Sequence, residues 1–503
     1  MVLESLPRRQ CDIESYCYLP LLDELGYVPK EKYAYGDEIF EHCQRIGRRY
    51  GLYENALFQT QVTSLQWDDD LGRWLLGTSR GDAVRARFLI MCTGSYHRPK
   101  LPGIPDIHTF KGKTFHTSRW DYEYTGGDRH GGLVKLADKR VAIIGTGATA
   151  VQAVPFLGKY AQHLYVVQRT PSVVDARGNV PTDPEWAASL EPGWARRRRD
   201  NYTAVVTGRV VDWDHDDVAD GWTVIPNRLK AQVAEGMDPA SLEALREIED
   251  YRRMEELRDR VDQFVTNKDH AAKLKAWYRW MCKRPTFNDA YLETFNRPNV
   301  TLLDVSATKG VERLTERGLV ANGVEYDVDC IIFASGFEIS TSIDRRLGIK
   351  TYTGRDGRSL YDHWRNGFRT FHGFTSHGFP NHFWINFTQV GLSPNITSMF
   401  DDHARHIAWI IGETIRRGAK SVEPTAEAEK AWVDTIRETF HLMWAFLDAC
   451  TPGYYNNEGD GSARRTHVGE PYSRGLHAFN ALIEEWRNQG NMEGMILRYE
   501  EAP

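Results

Sequence analysis

Arg140-Val-Ala-Ile-Ile-Gly-Thr-Gly-Ala-Thr-Ala150 is the stretch on which the fold turns. A short apolar strand runs into Gly145, Gly147 to Gly158 has helical spacing, and His163-Leu-Tyr-Val-Val-Gln168 is a second buried strand, so the stretch reads as a βαβ unit. Inside it lies G-x-G-x-x-A, in the strand-to-helix setting that dinucleotide binding requires. Gly145 allows the tight turn, Thr146 follows it, Gly147 lets the backbone approach a pyrophosphate, and the small Ala150 lets helix and strand pack closely. The helix N-terminus then faces the phosphates. The second strand ends in Gln168-Arg169-Thr170, where an NAD site would place Asp or Glu on the ribose hydroxyls. An Arg there suits a 2′-phosphate, so NADP(H) is the expected nucleotide.

Working outward, Asp329-Cys-Ile-Ile-Phe-Ala-Ser-Gly336 is another buried strand ending in Gly. Upstream, Phe58 to Ile90 alternates with period two and reads as a small antiparallel meander, closing in a buried strand Arg87-Phe-Leu-Ile-Met-Cys92 that stops at Thr93-Gly94. Residues 36 to 50 put Ile39, Phe40, Cys43 and Ile46 on one helix face, and 402–417 and 425–448 are amphipathic helices. Ala240 to Met281, rich in Glu, Arg, Leu and Lys, reads as part of a helical insertion. The run Arg196 to Arg199 reads as a solvated helix face. Residues 1 to 35 have no clean period and look like the inside of a domain.

The 503 residues allow roughly three domains. With 41% hydrophobic and 26% charged residues the composition is globular, which excludes a disordered, collagen-like or coiled-coil chain. A net charge of -6 argues against nucleic acid or anionic membrane as the main partner. The 15 Trp, 23 Tyr and 21 Phe point to apolar pockets or large buried interfaces. Seven scattered Cys indicate neither a disulfide framework nor a zinc site, and reduced, buried thiols are expected. No apolar run approaches the roughly 18 residues of a membrane span, and the start carries charge without an apolar region behind it, so a cytoplasmic protein is expected.

Phe110-Lys-Gly112-Lys-Thr-Phe-His116-Thr-Ser-Arg-Trp120-Asp121 fits F-x-G-x-x-x-H-x-x-x-W-[P/D]. This string resembles the fingerprint of type I Baeyer–Villiger monooxygenases. Cys92-Thr93-Gly94 with Pro99 and Pro102 looks like that family's first crossing between flavin and nicotinamide domains, and Phe333-Ala-Ser-Gly336-Phe337 like the return crossing. Cys11-Asp12-Ile-Glu-Ser15-Tyr16 resembles a segment beside the flavin ring, and Cys282-Lys283-Arg284-Pro285 the segment with the catalytic Arg. Cys450-Thr-Pro-Gly-Tyr-Tyr-Asn-Asn-Glu-Gly459 resembles the branch acting on bulky or large-ring ketones, where it would lie on a mobile loop near the substrate.

The resemblance implies an enzyme that uses FAD, NADPH and O2 to convert a small-molecule ketone to an ester or lactone through a C4a-peroxyflavin. It implies that Arg284 stabilises developing negative charge, with Asp12 orienting it. It further implies that Arg169, Thr170 and Lys283 bind the 2′-phosphate, and that His116 and Trp120 link domain movement to catalysis. The fold it implies is α/β, with two Rossmann-like dinucleotide-binding domains, for FAD and NADP, and a helical insertion. Residues 1–134 would form the FAD domain, 135–309 the NADP domain with the insertion at about 195–280, and 310–503 the return to the FAD domain and a cover on the substrate side.

The chain departs from the family in carrying one dinucleotide fingerprint instead of two. Gly459-Asp-Gly461-Ser-Ala-Arg464 fails at its last position. An FAD-binding βαβ unit of roughly 30 residues is therefore expected to be missing upstream of Cys11. Three other functions compete: an N- or S-oxygenating flavin monooxygenase, an inactive NADP-binding remnant, and a plain NADP-dependent dehydrogenase or flavin reductase. Trp120 and Arg284 favour the Baeyer–Villiger reading over the first of these, the missing upstream unit speaks for the second, and the third leaves the Phe110–Asp121 string unexplained.

Overall fold

The computed structural model describes residues 6–94, 96–234, 236–339, 341–460 and 470–500, without the side chains of His441 and Leu442. Gly461 to Arg464, the last four residues of the rejected glycine string, lie outside these residues.

Five strands form one parallel sheet: β1 (Lys113–His116), β2 (Arg140–Ile144), β3 (His163–Gln168), β4 (Val300–Asp304) and β5 (Cys330–Phe333), in the order β4-β3-β2-β5-β1. Val141, Ala142, Ile143, Cys330, Ile331 and Ile332 are fully buried, because a parallel sheet covered on both faces has no solvent side and therefore no alternation. The helix Ala148–Tyr160 makes the β2-to-β3 crossover. It lies close to its neighbours at Gly158, where a Cβ would come within 2.7 Å of Thr294 Cγ2. At the start of β2, the Arg140 guanidinium and backbone N–H both donate to Asp329, at 3.2 and 2.7 Å, fixing the register of β2 against β5. The sheet draws β1 and β5 from outside residues 135–309, so the strand carrying the Phe110–Asp121 string stands at the sheet edge, with β5 between it and the strand that feeds the dinucleotide turn.

The helical insertion is present as Trp194–Thr207, Val224–Gln232, Pro239–Phe264 and Lys268–Leu274. Asp238 caps the third of these by accepting from Ala240 and Ser241 N–H groups, with Pro239 at the first turn. A two-residue parallel pair, Val174–Asp175 with Thr286–Phe287, ties the end of the insertion back to the chain leaving β3. Just before this pair in the chain, Lys283 lies within electrostatic range of Arg169.

Four sequence expectations are corrected. The Arg196–Arg199 run is not simply solvated: Arg198 chelates Glu14 at 2.6 and 2.8 Å, and buried Arg199 pairs with Asp401 at 2.8 Å, so half the run ties helices together. The helix Gly36–Arg49 buries Glu38, Ile39 and His42 and leaves Cys43 exposed, because the Tyr27 hydroxyl donates to Glu38 and the His42 ring meets the Pro20 carbonyl on that face. The strand expected over Arg87–Cys92 is Leu89–Met91, paired in parallel with His382–Trp384, and its Ile90 is exposed. The expected reduced thiols give way to a Cys282–Cys450 disulfide with Cα atoms 5.2 Å apart, since folding closes 168 residues of separation. Cys11, Cys17 and Cys330 are free and buried as expected, whereas Cys43 and Cys92 are free and exposed.

Candidate active site

Gly145 leaves β2 at φ +111°, a conformation that L side chains rarely adopt. Its N–H donates to the Val167 carbonyl at 3.0 Å, and a Cβ there would stand 2.6 Å from the Ala334 carbonyl oxygen. At Gly147 a Cβ would meet nothing within 4 Å, so open space lies at the N-terminus of a 13-residue helix. The Thr146 hydroxyl donates to the Thr170 carbonyl at 2.9 Å, and the Ser172 hydroxyl donates to the Thr146 carbonyl at 2.6 Å. The cradle is thereby locked to the strand end that carries Arg169. A helix N-terminus without a side-chain cap, beside open space, suits a pyrophosphate, so the residues fit a nicotinamide dinucleotide.

Two cations flank this cradle. Arg169 is about half exposed at the end of β3. Lys283 is pushed down to about 8, by burial first and by the Arg169 charge second, with Glu458 opposing both. One residue on, Arg284 donates twice to Asp12, Nε to Oδ2 at 3.1 Å and Nη2 to Oδ1 at 2.9 Å. Burial disfavours its charge, but the Asp12 carboxylate and its hydrogen bonds outweigh that and raise its pKa further, so Arg284 is a permanent cation. Trp222 braces the pair from the insertion. Its indole N–H donates to the Asp12 carbonyl at 2.7 Å, and the Arg284 guanidinium sits 5.0 Å from a Trp222 ring centroid.

The two crossing segments lie side by side. Lys100 N–H donates to the Gly336 carbonyl at 2.9 Å, the Ser335 hydroxyl donates to the Lys100 carbonyl at 2.5 Å, and Pro99 bridges Phe337. Thr93 and Gly94 are exposed, Gly94 (φ +66°) and Gly336 (φ +76°) are left-handed, and a Cβ on either glycine would meet nothing. That clearance leaves room for a flat cofactor to approach the backbone.

The fingerprint residues divide by what they touch. His116 is buried at the end of β1 with its ring 5.8 Å from Phe337, so it contacts the return crossing. Its Nδ1 accepts from Ser118 N–H at 3.1 Å, and burial lowers its pKa, so it is neutral at pH 7. Trp120 is buried against Phe115, with its N–H donating to the Thr125 hydroxyl at 3.1 Å. Asp121 pairs with Lys113 and accepts from Tyr124 N–H at 2.9 Å. Phe110 is buried over Gly112, where a Cβ would strike both the Phe110 ring and the Asp329 carbonyl.

Sequence reasoning missed what the C-terminal loop does. Beyond the Cys450–Cys282 bond, the Lys283 ammonium donates to the Pro452 carbonyl at 2.7 Å, and Glu458 pairs with Arg169 at 2.9 Å. Tyr454 and Tyr455 lie within electrostatic range of Arg284, and Tyr454 also of Tyr96. The loop therefore lies across all three cations. Trp222 was missed as well, because nothing in its local sequence distinguishes it from any other aromatic of the insertion.

Among the described residues no helix is long and apolar enough to cross a membrane, and no cluster of three metal-ligating side chains occurs. Residues 12–184 match the family model described as flavin-binding monooxygenase-like. The chain is 51% identical over 497 residues to neopentalenolactone D synthase of Streptomyces avermitilis, covering 98% of this chain and 83% of that protein. It is 48% identical over 498 residues to a Baeyer–Villiger monooxygenase of Streptomyces coelicolor, covering 98% and 81%. Among solved structures, the polycyclic ketone monooxygenase of Thermothelomyces thermophila superposes with a TM-score of 0.89 at 37% identity, over 99% of this chain and 82% of that one.

Proposed function

The chain belongs to the Baeyer–Villiger monooxygenases, and on that premise we propose that it oxidises a bulky, polycyclic ketone with Arg284 as catalytic cation and Asp12 as the group that aims it. Arg169, Thr170 and Lys283 hold the NADP 2′-phosphate in this reading, and Gly145, Thr146, Gly147 and Ala150 cradle the pyrophosphate. FAD and NADPH, once bound, supply the electrons and activated oxygen with which one atom of O2 is inserted beside the ketone carbonyl. Ketone, O2, NADPH and a proton give ester or lactone, NADP+ and water.

The observation that carries the reading is the doubly hydrogen-bonded Arg284–Asp12 pair beside the NADP cradle. Negative charge that grows on the carbonyl oxygen during attack needs a fixed positive partner. A guanidinium already aligned by a carboxylate and an indole face provides one without reorganising. Around it, the clearance at Gly94 and Gly336 lets the flavin approach the crossings, and His116 transmits movement between β1 and the return crossing through Phe337. The flavin unit is assigned to the segments before and after the five-stranded sheet, and the nicotinamide unit to that sheet with the insertion. The bulky substrate class is supported by the likeness to the polycyclic ketone monooxygenase and to the pentalenolactone-type synthases.

The test is a turnover assay with FAD, NADPH, 18O2 and a polycyclic ketone, following one heavy oxygen into the lactone by mass spectrometry. Arg284→Ala is expected to lower product formation about 10²- to 10³-fold, as removal of one oxyanion-stabilising donor does elsewhere. NADPH should still bleach the flavin in this variant. Undiminished oxygenation by Arg284→Ala would sink the assignment.

A further inference from the structure

The Arg169–Lys283 anion site is already in contact with an anion, and that anion belongs to the chain. The Glu458 carboxylate lies 2.9 Å from the Arg169 guanidinium and holds the Lys283 charge up against burial. Its position is set by a compact turn. The buried Asn456 side chain donates to the Leu447 and Cys450 carbonyls, both at 3.1 Å, and accepts from Gly453 N–H at 2.9 Å and from Gly459 N–H at 3.2 Å. Asn457 (φ +53°) and Glu458 (φ +57°) are both left-handed, which non-glycine residues adopt in succession only where their surroundings impose it. Glu458 N–H donates to the Gly453 carbonyl at 2.7 Å. The stem of this turn is bonded through Cys450 to Cys282, the residue before Lys283, so carboxylate and cations hang on one clamp.

We propose that Glu458 is an internal competitor for the NADP 2′-phosphate: its carboxylate holds Arg169 in the nucleotide-free protein and must leave before the phosphate binds there. The inference rests on the assignment of Arg169 and Lys283 to that phosphate. A carboxylate carries one charge and reaches Arg169 from a tethered loop, whereas the phosphate brings about two charges and three acceptor oxygens, so the ligand wins but binds more weakly than the bare site would allow. NAD(H), which has no 2′-phosphate, does not compete with Glu458. The residue therefore lowers affinity for NADP(H) selectively and eases release of NADP+ after turnover. Both partners are nearly half exposed, and ion pairs of that kind are weak, so the effect is small in size and sharp in selectivity.

Equilibrium titration of the full FAD-loaded chain with NADP+ and separately with NAD+ tests this in wild type, Glu458→Gln, Arg169→Ala and the double variant. Glu458→Gln is expected to tighten NADP+ about three- to fivefold and to leave NAD+ unchanged. In the Arg169→Ala background the same substitution should give little gain, because the competition has lost its object. If Arg169→Ala weakens NADP+ but Glu458→Gln leaves it unchanged or weakens it, the competitor role is overturned and the phosphate assignment stands. If Arg169→Ala leaves the preference for NADP+ over NAD+ unchanged, the phosphate assignment falls and the competitor role falls with it.

Discussion

At Gly145 the groups that shape the site come from nearby chain: Thr146 bonds to Thr170, 24 residues on, and Ser172 reaches back 26. At Arg169 and Arg284 the partners come from far away, Glu458 at a separation of 289 and Asp12 at 272. The first region is held by a sheet, in which backbone hydrogen bonds and buried aliphatic side chains leave one arrangement. The second is held by side chains, a disulfide and a two-residue ladder. Rigid backbone suits a pyrophosphate whose shape never changes. Side-chain pairs suit the proposed exchange of Glu458 for a phosphate at Arg169, because they can part without disturbing the sheet.

The comparison breaks most sharply at Gly145. An alanine there combines a left-handed φ with a 2.6 Å approach to the Ala334 carbonyl, and should cost about 3–5 kcal/mol of stability, read as a lower denaturant midpoint, together with loss of NADP+ binding. Retention of full stability would mean that the sheet yields more than its packing suggests. Cys450→Ser acts on the other region and is expected to cost about 2–3 kcal/mol, chiefly in the loop and its anchorage, by freeing the 168-residue link. Hydrogen exchange should show the loss at the loop and the segment around Cys282, with β2 and β3 as protected as before.

Acid separates the regions further. In the C-terminal core, burial pushes His372 and His403 down to about 3, and His406 is lowered too, among Phe374, Trp432 and Trp486. Unfolded, these rings titrate near 6.5, so the unfolded chain binds the extra protons. The stability they support is complete above that pH and drains away as pH falls from about 6.5 toward 3, by up to about 1.4 kcal/mol per ring per pH unit. Near-ultraviolet circular dichroism should lose the tryptophan signal of this core in that window, and His403→Phe should shift the midpoint to lower pH. The smallest effect is at Lys283. Burial and the Arg169 charge push its pKa down to about 8, so NADP+ affinity should fall a few fold between pH 7 and 9, while NAD+ affinity holds, and Lys283→Arg should flatten the profile.

What was legible in the sequence follows the same division. The placement of Gly145, Gly147 and Ala150 at the turn and of Arg169 at the end of β3 is readable because a strand, a turn and a helix in succession fix their spacing. The Phe110–Asp121 string was readable as a pattern, yet its neighbourhood was not: only the strand order shows that it stands against β5 and the return crossing. Glu458, Trp222 and the Cys282–Cys450 bond were out of reach. No period or spacing relates residues that meet because Val174–Asp175 happens to pair with Thr286–Phe287. The Arg196–Arg199 run misled for the same reason, since a helix face looks solvated until Glu14 and Asp401 arrive from elsewhere.

The disulfide has one more consequence, for how the chain comes apart. Because Cys282 and Cys450 enclose β4, β5 and the return crossing in a covalent ring, a single protease cut between them severs the backbone without separating the pieces. Such a nicked molecule should migrate as one band on a non-reducing gel and as two after thiol treatment, still presenting Lys283 and its loop to each other.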